Sequence, residues 1–152
     1  MIKKDYSIII GGAAGQGSRK AGLIIAKIFN CLGYNIFISE DYQSLIKGGH
    51  NFSVIRASQN NNSAICKYAD FLLALDENTI NKHEKSLKKD GLLIFNKDKI
   101  KKEGGVGIKA DCAIKELCGI PIMCNIALIA GFSKSVGIEW KILENVLRRE
   151  IK

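Results

Sequence analysis

The chain has 152 residues, which suits one domain and leaves little room for a second. Hydrophobic residues make up 47% and charged residues 25%, so the composition excludes a disordered chain and provides for a core. The net charge of +8 favours an anionic partner, whether nucleic acid, a phosphate-bearing ligand or an acidic protein; a lysine-rich solvated surface would give the same number.

Five cysteines occur: Cys31, Cys66, Cys112, Cys118 and Cys124. No C-x-x-C pair is present, which argues against a disulfide framework and a tight zinc site. The last three are spaced by six residues, a pattern that fits no iron–sulfur run. Free thiols among apolar residues are expected, most acting as small hydrophobes in a reducing cytoplasm. The apolar run after Met1–Asp5 is too short for a signal peptide, and 126–132 is too short to span a bilayer.

Taken in chain order, 6–10 is a β-branched run that reads as a buried parallel strand ending at Gly11-Gly12. A small-residue loop fills 11–17. Over 18–32, Ala21, Ile24, Ile25, Ile28, Phe29 and Leu32 recur at three- and four-residue spacing, a helix with one apolar stripe that Gly33 stops. Residues 35–39 form the next strand, giving a right-handed βαβ unit. A polar connection covers 40–51, and 51–58 alternates as a strand with one wet face. A turn at 59–63 leads to an apolar strand at 71–75, with Asp76 at its carboxyl end. A polar helix over 77–89, a strand over 91–95 and a charged loop over 97–105 follow. Next come a short strand at 106–109 and a short helix capped by Asp111 and broken at Gly119-Ile120-Pro121. Helices over 125–136 and 139–151 complete the chain. This alternation predicts an α/β fold: a doubly wound, mostly parallel, Rossmann-like three-layer sheet with helices on both faces. The 11–17 loop, the 40–51 connection and Asp76 should then meet at the carboxyl edge of the strands.

The loop Gly11-Gly12-Ala13-Ala14-Gly15-Gln16-Gly17 runs from a strand into a helix, where free N–H groups and a positive partial charge suit a phosphate. Ala14 breaks the G-x-G-x-x-G register, and Ser18-Arg19 stands where a phosphate-binding loop would carry Lys-Ser. Tight packing, anion binding through Gly12, Gly15, Gln16, Gly17 and Ser18, and contact with a protein all stay open. Glu40 and Asp41 follow the second strand, so a free-standing NAD(P)-binding oxidoreductase is the second reading. In Lys47-Gly48-Gly49-His50-Asn51 the paired glycines imply an unusual backbone path. The segment is expected to face a partner, with His50 exposed in a turn, and His83 is read as a solvated residue on a polar helix. The lysines are spread along the chain and aromatics total 7%, without a recognition helix or aromatic strand, so nucleic acid is not expected as a partner.

Two of these segments carry a resemblance. Ile8 to Gly22 (I-I-I-G-G-A-A-G-Q-G-S-R-K-A-G) resembles the start of the gamma domain of 2-oxoacid:acceptor oxidoreductases. Asp41 to Ser58, with K-G-G-H-N, is similar to that family's R-G-G-H-N segment. Lys47 replaces the usual Arg, which weakens any bidentate contact there. The segments 69–76, 91–96 and 125–131 fit the same layout, and the G-G-H-N form looks most like the N-terminal domain of 2-oxoglutarate-type alpha subunits. The resemblance implies a single gamma-type domain over 1–152, either cut from a longer subunit or standing as a shortened one. It implies oxidative decarboxylation of a 2-oxoacid, pyruvate or 2-oxoglutarate being the usual ones, with coenzyme A, and electrons passing to ferredoxin. Thiamine diphosphate, Mg and Fe–S clusters are expected in partner subunits, with no catalytic residue and no metal ligand in this chain. Coenzyme A is its expected ligand, near the glycine loop.

Overall fold

The computed structural model describes residues 3–42, 49–61 and 63–151. Six strands, β1 (Asp5–Ala13), β2 (Asn35–Tyr42), β3 (His50–Ser58), β4 (Ala69–Ala74), β5 (Leu87–Asn96) and β6 (Val106–Ile108), form one sheet in the order β2-β3-β1-β4-β5-β6. The helices are α1 (Ser18–Cys31), α2 (Glu77–His83), α3 (Ala110–Glu116), α4 (Cys124–Val136) and α5 (Trp140–Glu150). Pairs β1–β4, β4–β5 and β5–β6 are parallel, whereas β3 runs antiparallel to both of its neighbours. The mostly parallel α/β sheet is therefore as the alternation of elements implies.

Side-chain alternation along the strands builds two cores. Ile8, Ile10, Ile55, Leu73 and Ile94 face one way and pack with α1, α4 and α5. Ile9, Val54, Leu72, Leu93 and Phe95 face the other way, where Ile80 of α2 and Ile100 cover them. The apolar stripe of α1 buries Ile24, Ile25, Ile28 and Phe29, each contributing about 1.5–3 kcal/mol by removal from water. Gly33, at φ 83, ends that helix in the left-handed region that favours glycine.

The structure corrects four expectations. β1 and β2 do not pair; β3 is inserted between them, so the βαβ unit is split. As an interior strand, β3 is buried on both faces and has no wet side. The polar helix expected over 77–89 ends at His83, and Leu87 already pairs with Ala69 as the start of β5. Asp111 sits in the first turn of α3 and does not cap it; its carboxylate accepts from Asn96 and from the Cys124 thiol. Among the described residues no helix is long and apolar enough to cross a membrane.

Candidate functional site

β1 runs beyond Ile10 because β3 pairs with it as far as Ala13 opposite His50. The glycine loop and the start of β3 thus lie side by side at the carboxyl edge. The Ala14 N–H donates to the Gly49 carbonyl (2.7 Å), and the Leu75 N–H donates to the Gly11 carbonyl (3.0 Å). Asp76, one residue on, caps α2 by accepting from the Thr79 N–H at 2.8 Å. The loop, residues 49–51 and Asp76 meet where the topology of open α/β sheets places ligands.

Gln16 fixes the loop with both side chain and backbone. Its Oε1 accepts from the Ala13 N–H (2.8 Å), its N–H donates to the Ala13 carbonyl (3.0 Å), and its carbonyl accepts from Asn125 Nδ2 (2.6 Å). The last partner lies 109 residues away in sequence, at the start of α4. The glycines divide by what surrounds them. A Cβ on Gly12 would meet Gln16 Oε1 at 2.5 Å and Leu75 Cβ at 2.9 Å. One on Gly17 would meet Asn125 Nδ2 at 2.8 Å and Ile122 at 3.2 Å, at a φ of +77. Both positions answer to packing within the chain. Gly15, at φ +91, has nothing within 4 Å and faces open space.

That space is a pocket of about 130 Å³ bordered by Gly15, Gln16, Asn96, Lys99, Cys124 and Asn125. It is smaller than the roughly 300–1,000 Å³ of a whole-ligand cleft, and of a size for one charged group. α1 begins beside it with no side-chain cap and no acidic residue in its first turn. The first helical N–H groups, at Ser18, Arg19 and Lys20, have no carbonyl within the helix, and the helix dipole adds positive potential. Ser18 is buried, Arg19 is paired with Glu40 at 3.0 Å, and Lys20 is exposed.

Behind the pocket, Asp111 receives Asn96 Nδ2 at 2.7 Å and the Cys124 thiol at 3.3 Å, and Lys99 stands 3.3 Å from it. Burial pushes the Asp111 carboxyl up, but those three donors outweigh it and hold it below the usual carboxylate range. Burial and the Asp111 carboxylate both push the Cys124 thiol up. Cys124 is therefore a protonated thiol at neutral pH and not a nucleophile. Cys31, Cys112 and Cys118 are exposed, contrary to the expectation that most thiols are packed as hydrophobes.

Lys47 and Gly48 lie outside the described residues. Gly49 is half-buried, and His50 and Asn51 are each only 4% exposed. Asn51 sits opposite Gly12, and its Oδ1 has no partner among the described residues. His50 opens β3 rather than a turn. Its ring stacks on Phe52, with centroids 5.6 Å apart, and its Nε2 lies 2.9 Å from Nε2 of His83. His83 is half-buried, its ring 4.4 Å from that of Phe52. The solvated readings of both histidines give way to a hydrogen-bonded pair, because β3 is interior and α2 closes over its first residues. Replacing His50 by alanine is accordingly expected to cost about 2 kcal/mol, as for a buried ring with polar edges, in urea denaturation. A loss below about 0.5 kcal/mol would return His50 to the surface class.

Glu40 and Asp41 lie within β2 rather than after it, and they do not serve a dinucleotide. In such folds the second strand lies beside the first and its acidic end reaches the ribose. Here β3 intervenes, setting β2 about 10 Å from β1, two strand spacings away, and Glu40 is engaged by Arg19.

Comparison with known proteins agrees with this geometry. Residues 7–152 match the family described as pyruvate ferredoxin/flavodoxin oxidoreductase. Subunit alpha of 2-oxoacid:ferredoxin oxidoreductase 2 from Aeropyrum pernix is 34% identical over 92 residues, 60% of this chain and 14% of that subunit. The chain thus spans about one seventh of the length of the alpha subunits it matches. The 2-oxoglutarate synthase subunit KorC from Archaeoglobus fulgidus is 24% identical over 153 residues, 99% of this chain and 81% of KorC. The solved gamma subunit of keto/oxoacid ferredoxin oxidoreductase from Geobacter sulfurreducens has a TM-score of 0.80 at 25% identity, covering 99% of this chain and 87% of that one. The fold also recurs, at a TM-score of 0.84 and 22% identity, in 2-oxoglutarate:ferredoxin oxidoreductase from Magnetococcus marinus, solved with 2-oxoglutarate, coenzyme A and succinyl-CoA bound. There it covers 97% of this chain and 27% of that one. The reading as a free-standing NAD(P) enzyme finds no support in these likenesses. With the glycine loop, the split βαβ unit and the antiparallel β3 all accounted for, the chain belongs to the pyruvate ferredoxin/flavodoxin oxidoreductase family.

Proposed function

We propose that this chain is a gamma-type domain of a cytoplasmic 2-oxoacid:ferredoxin oxidoreductase and has no turnover of its own. The overall reaction is oxidative decarboxylation of a 2-oxoacid with coenzyme A to acyl-CoA, with electrons delivered to ferredoxin. The observation that carries this reading is the likeness to KorC, which covers 99% of this chain and 81% of KorC. Among the described residues no group of three or more His, Cys, Asp or Glu is placed to hold a metal ion. Thiamine diphosphate with its Mg, and the Fe–S clusters, are proposed to belong to partner subunits or domains.

The chain's own contribution is to bind and to assemble. A pyrophosphate or phosphate of coenzyme A would sit over Gly15, taking N–H groups from Gly15, Gly17 and Ser18, with Lys99 supplying charge at the rim. Gly12, Gln16 and Gly17 hold that path in shape by the packing described above. The stretch Lys47–Asn51 is proposed to border the thiamine-bearing partner, with His50 shaping it from inside.

Coenzyme A should raise the melting temperature of the chain at low salt, with the gain fading as salt rises. Gly15→Val should abolish the gain. Its side chain enters open space, so the fold pays only left-handed backbone strain of about 1–2 kcal/mol. Gly33→Val is the control: it too has a positive φ and nothing within 4 Å, but it lies at the far end of α1. Stabilisation retained in Gly15→Val, or lost equally in both variants, would remove coenzyme A from this loop. Purification of the chain from its native extract should bring down a thiamine-diphosphate-containing partner.

A further inference from the structure

The chain has two histidines, and the fold brings them into contact from positions 33 residues apart. His50 Nδ1 is buried and meets no partner among the described residues. A proton on that nitrogen would be a buried donor without an acceptor. The hydrogen-bond network therefore assigns the His50 proton to Nε2, which donates to Nε2 of His83 at 2.9 Å, and the His83 proton to Nδ1.

This arrangement leaves an added proton no favourable site. On His83 Nε2 it would point at the His50 N–H. If His50 changed tautomer to receive it, the displaced proton would be buried at Nδ1 unpaired. On His50 Nδ1 it would be buried and charged. The charged surroundings give little help. Lys82 on α2 opposes a cation on either ring, Asp41 on β2 favours it on both, and Asp76 at the cap of α2 favours it on His50. Glu84, just after α2, is engaged by Lys102 at 2.7 Å.

The pair also joins parts that lie apart in sequence. His50 is the first residue of β3, adjacent to Gly49, whose carbonyl holds the Ala14 N–H of the glycine loop. His83 is the last residue of α2, whose other end is capped by Asp76 beside Leu75. We propose that the His50–His83 pair is an acid-opened clasp that ties the start of β3 to the end of α2 and so holds the glycine loop in shape at neutral pH. When His83 Nε2 takes a proton from solvent, two N–H groups face each other, the rings part, and the Gly49–Ala14 contact loosens. The clasp stands on the two rings and their neighbours, independently of what the loop binds.

Long-range ¹H–¹⁵N NMR of the 152-residue chain reads it directly, because the imidazole region holds signals from these two rings alone. The expected result is a proton on His50 Nε2 and a coupled titration of both rings below the ordinary histidine value. Burial acts first on both rings, and His83, depressed to about 4, is held down further by His50 and Lys82. Over the same acid range hydrogen-exchange protection of the Ala14 amide should fall at least about tenfold, as a local opening. In His83→Gln the acceptor is kept but cannot take a proton, so Ala14 protection should stay flat. Two rings that titrate separately at the ordinary value in the wild-type chain would overturn the proposal. So would Ala14 protection that falls equally in wild type and His83→Gln.

Discussion

Replacing Gly12 by valine is expected to lower the unfolding free energy by about 3 kcal/mol. Both neighbours of the new Cβ resist it. Leu75 is 4% exposed, and its N–H is fixed to the Gly11 carbonyl, so its side chain cannot retreat. Gln16 can swing away, but the Ala13 N–H then loses its acceptor. Overpacking of about 1–3 kcal/mol adds to a lost hydrogen bond of about 1 kcal/mol. Urea denaturation of the pure variant measures the sum. A loss under 1 kcal/mol would mean that Gly12 answers to a ligand or partner and not to Leu75 and Gln16.

The second large effect lies at the opposite end of β1 and β4. Asp70 is 5% exposed, and its carboxylate accepts from the Ser7 N–H (2.9 Å), Lys3 Nζ (3.0 Å) and Lys88 Nζ (3.0 Å). Asp70→Ala should cost about 2–3 kcal/mol, mostly by leaving the buried Ser7 N–H unpaired. The two lysines are 49% and 40% exposed, so solvent screening leaves them a minor share. Burial pushes the Asp70 carboxyl up, but the Ser7 N–H and the lysines outweigh it and hold the group below its ordinary value. A depressed folded pKa stabilises the fold above the unfolded value of about 4 and is lost as pH falls through the folded one. The histidine pair acts earlier. Its depressed values make the folded pair favourable above about pH 6.5, with that share declining as pH falls toward 4. Stability of the wild-type chain should therefore fall in two acid stages, the first reduced in His83→Gln, where buried His50 remains, and the second reduced in Asp70→Ala. A single stage in all three chains would contradict both assignments.

Much of this was legible in the sequence because it is local. The spacing of Ile24, Ile25, Ile28 and Phe29 specifies one helix face, and Gly33 its end, whatever the rest of the chain does. Alternation also marks 51–58 as a strand. It says nothing about which strands flank it, and the insertion of β3 between β2 and β1 is a choice of partners made by burial of both faces. That choice explains the error over His50, since a polar residue after two glycines looks like a turn until the strand beside it is known. His83 looked solvated because Lys82, Glu84 and Lys85 surround it in sequence, whereas only its own side of α2 meets Phe52. At the glycine loop the residue types announced a close approach, but separating Gly12 and Gly17 from Gly15 required neighbours at 75, 122 and 125. Asn125 is the residue most clearly missed. The one signal for it was its position opening the apolar helix 125–136, which cannot reveal a bond to the Gln16 carbonyl.

Reconstitution tests the central claim most directly. The chain would be added to the thiamine- and cluster-bearing subunits prepared without it, and 2-oxoacid- and coenzyme A-dependent reduction of ferredoxin or a viologen dye followed. The account predicts no turnover by the chain alone and turnover that rises with added chain to a stoichiometric plateau. Turnover by the purified chain alone, or a partner complex whose rate is the same with and without it, would contradict the assignment of this domain as an assembling, ligand-holding component.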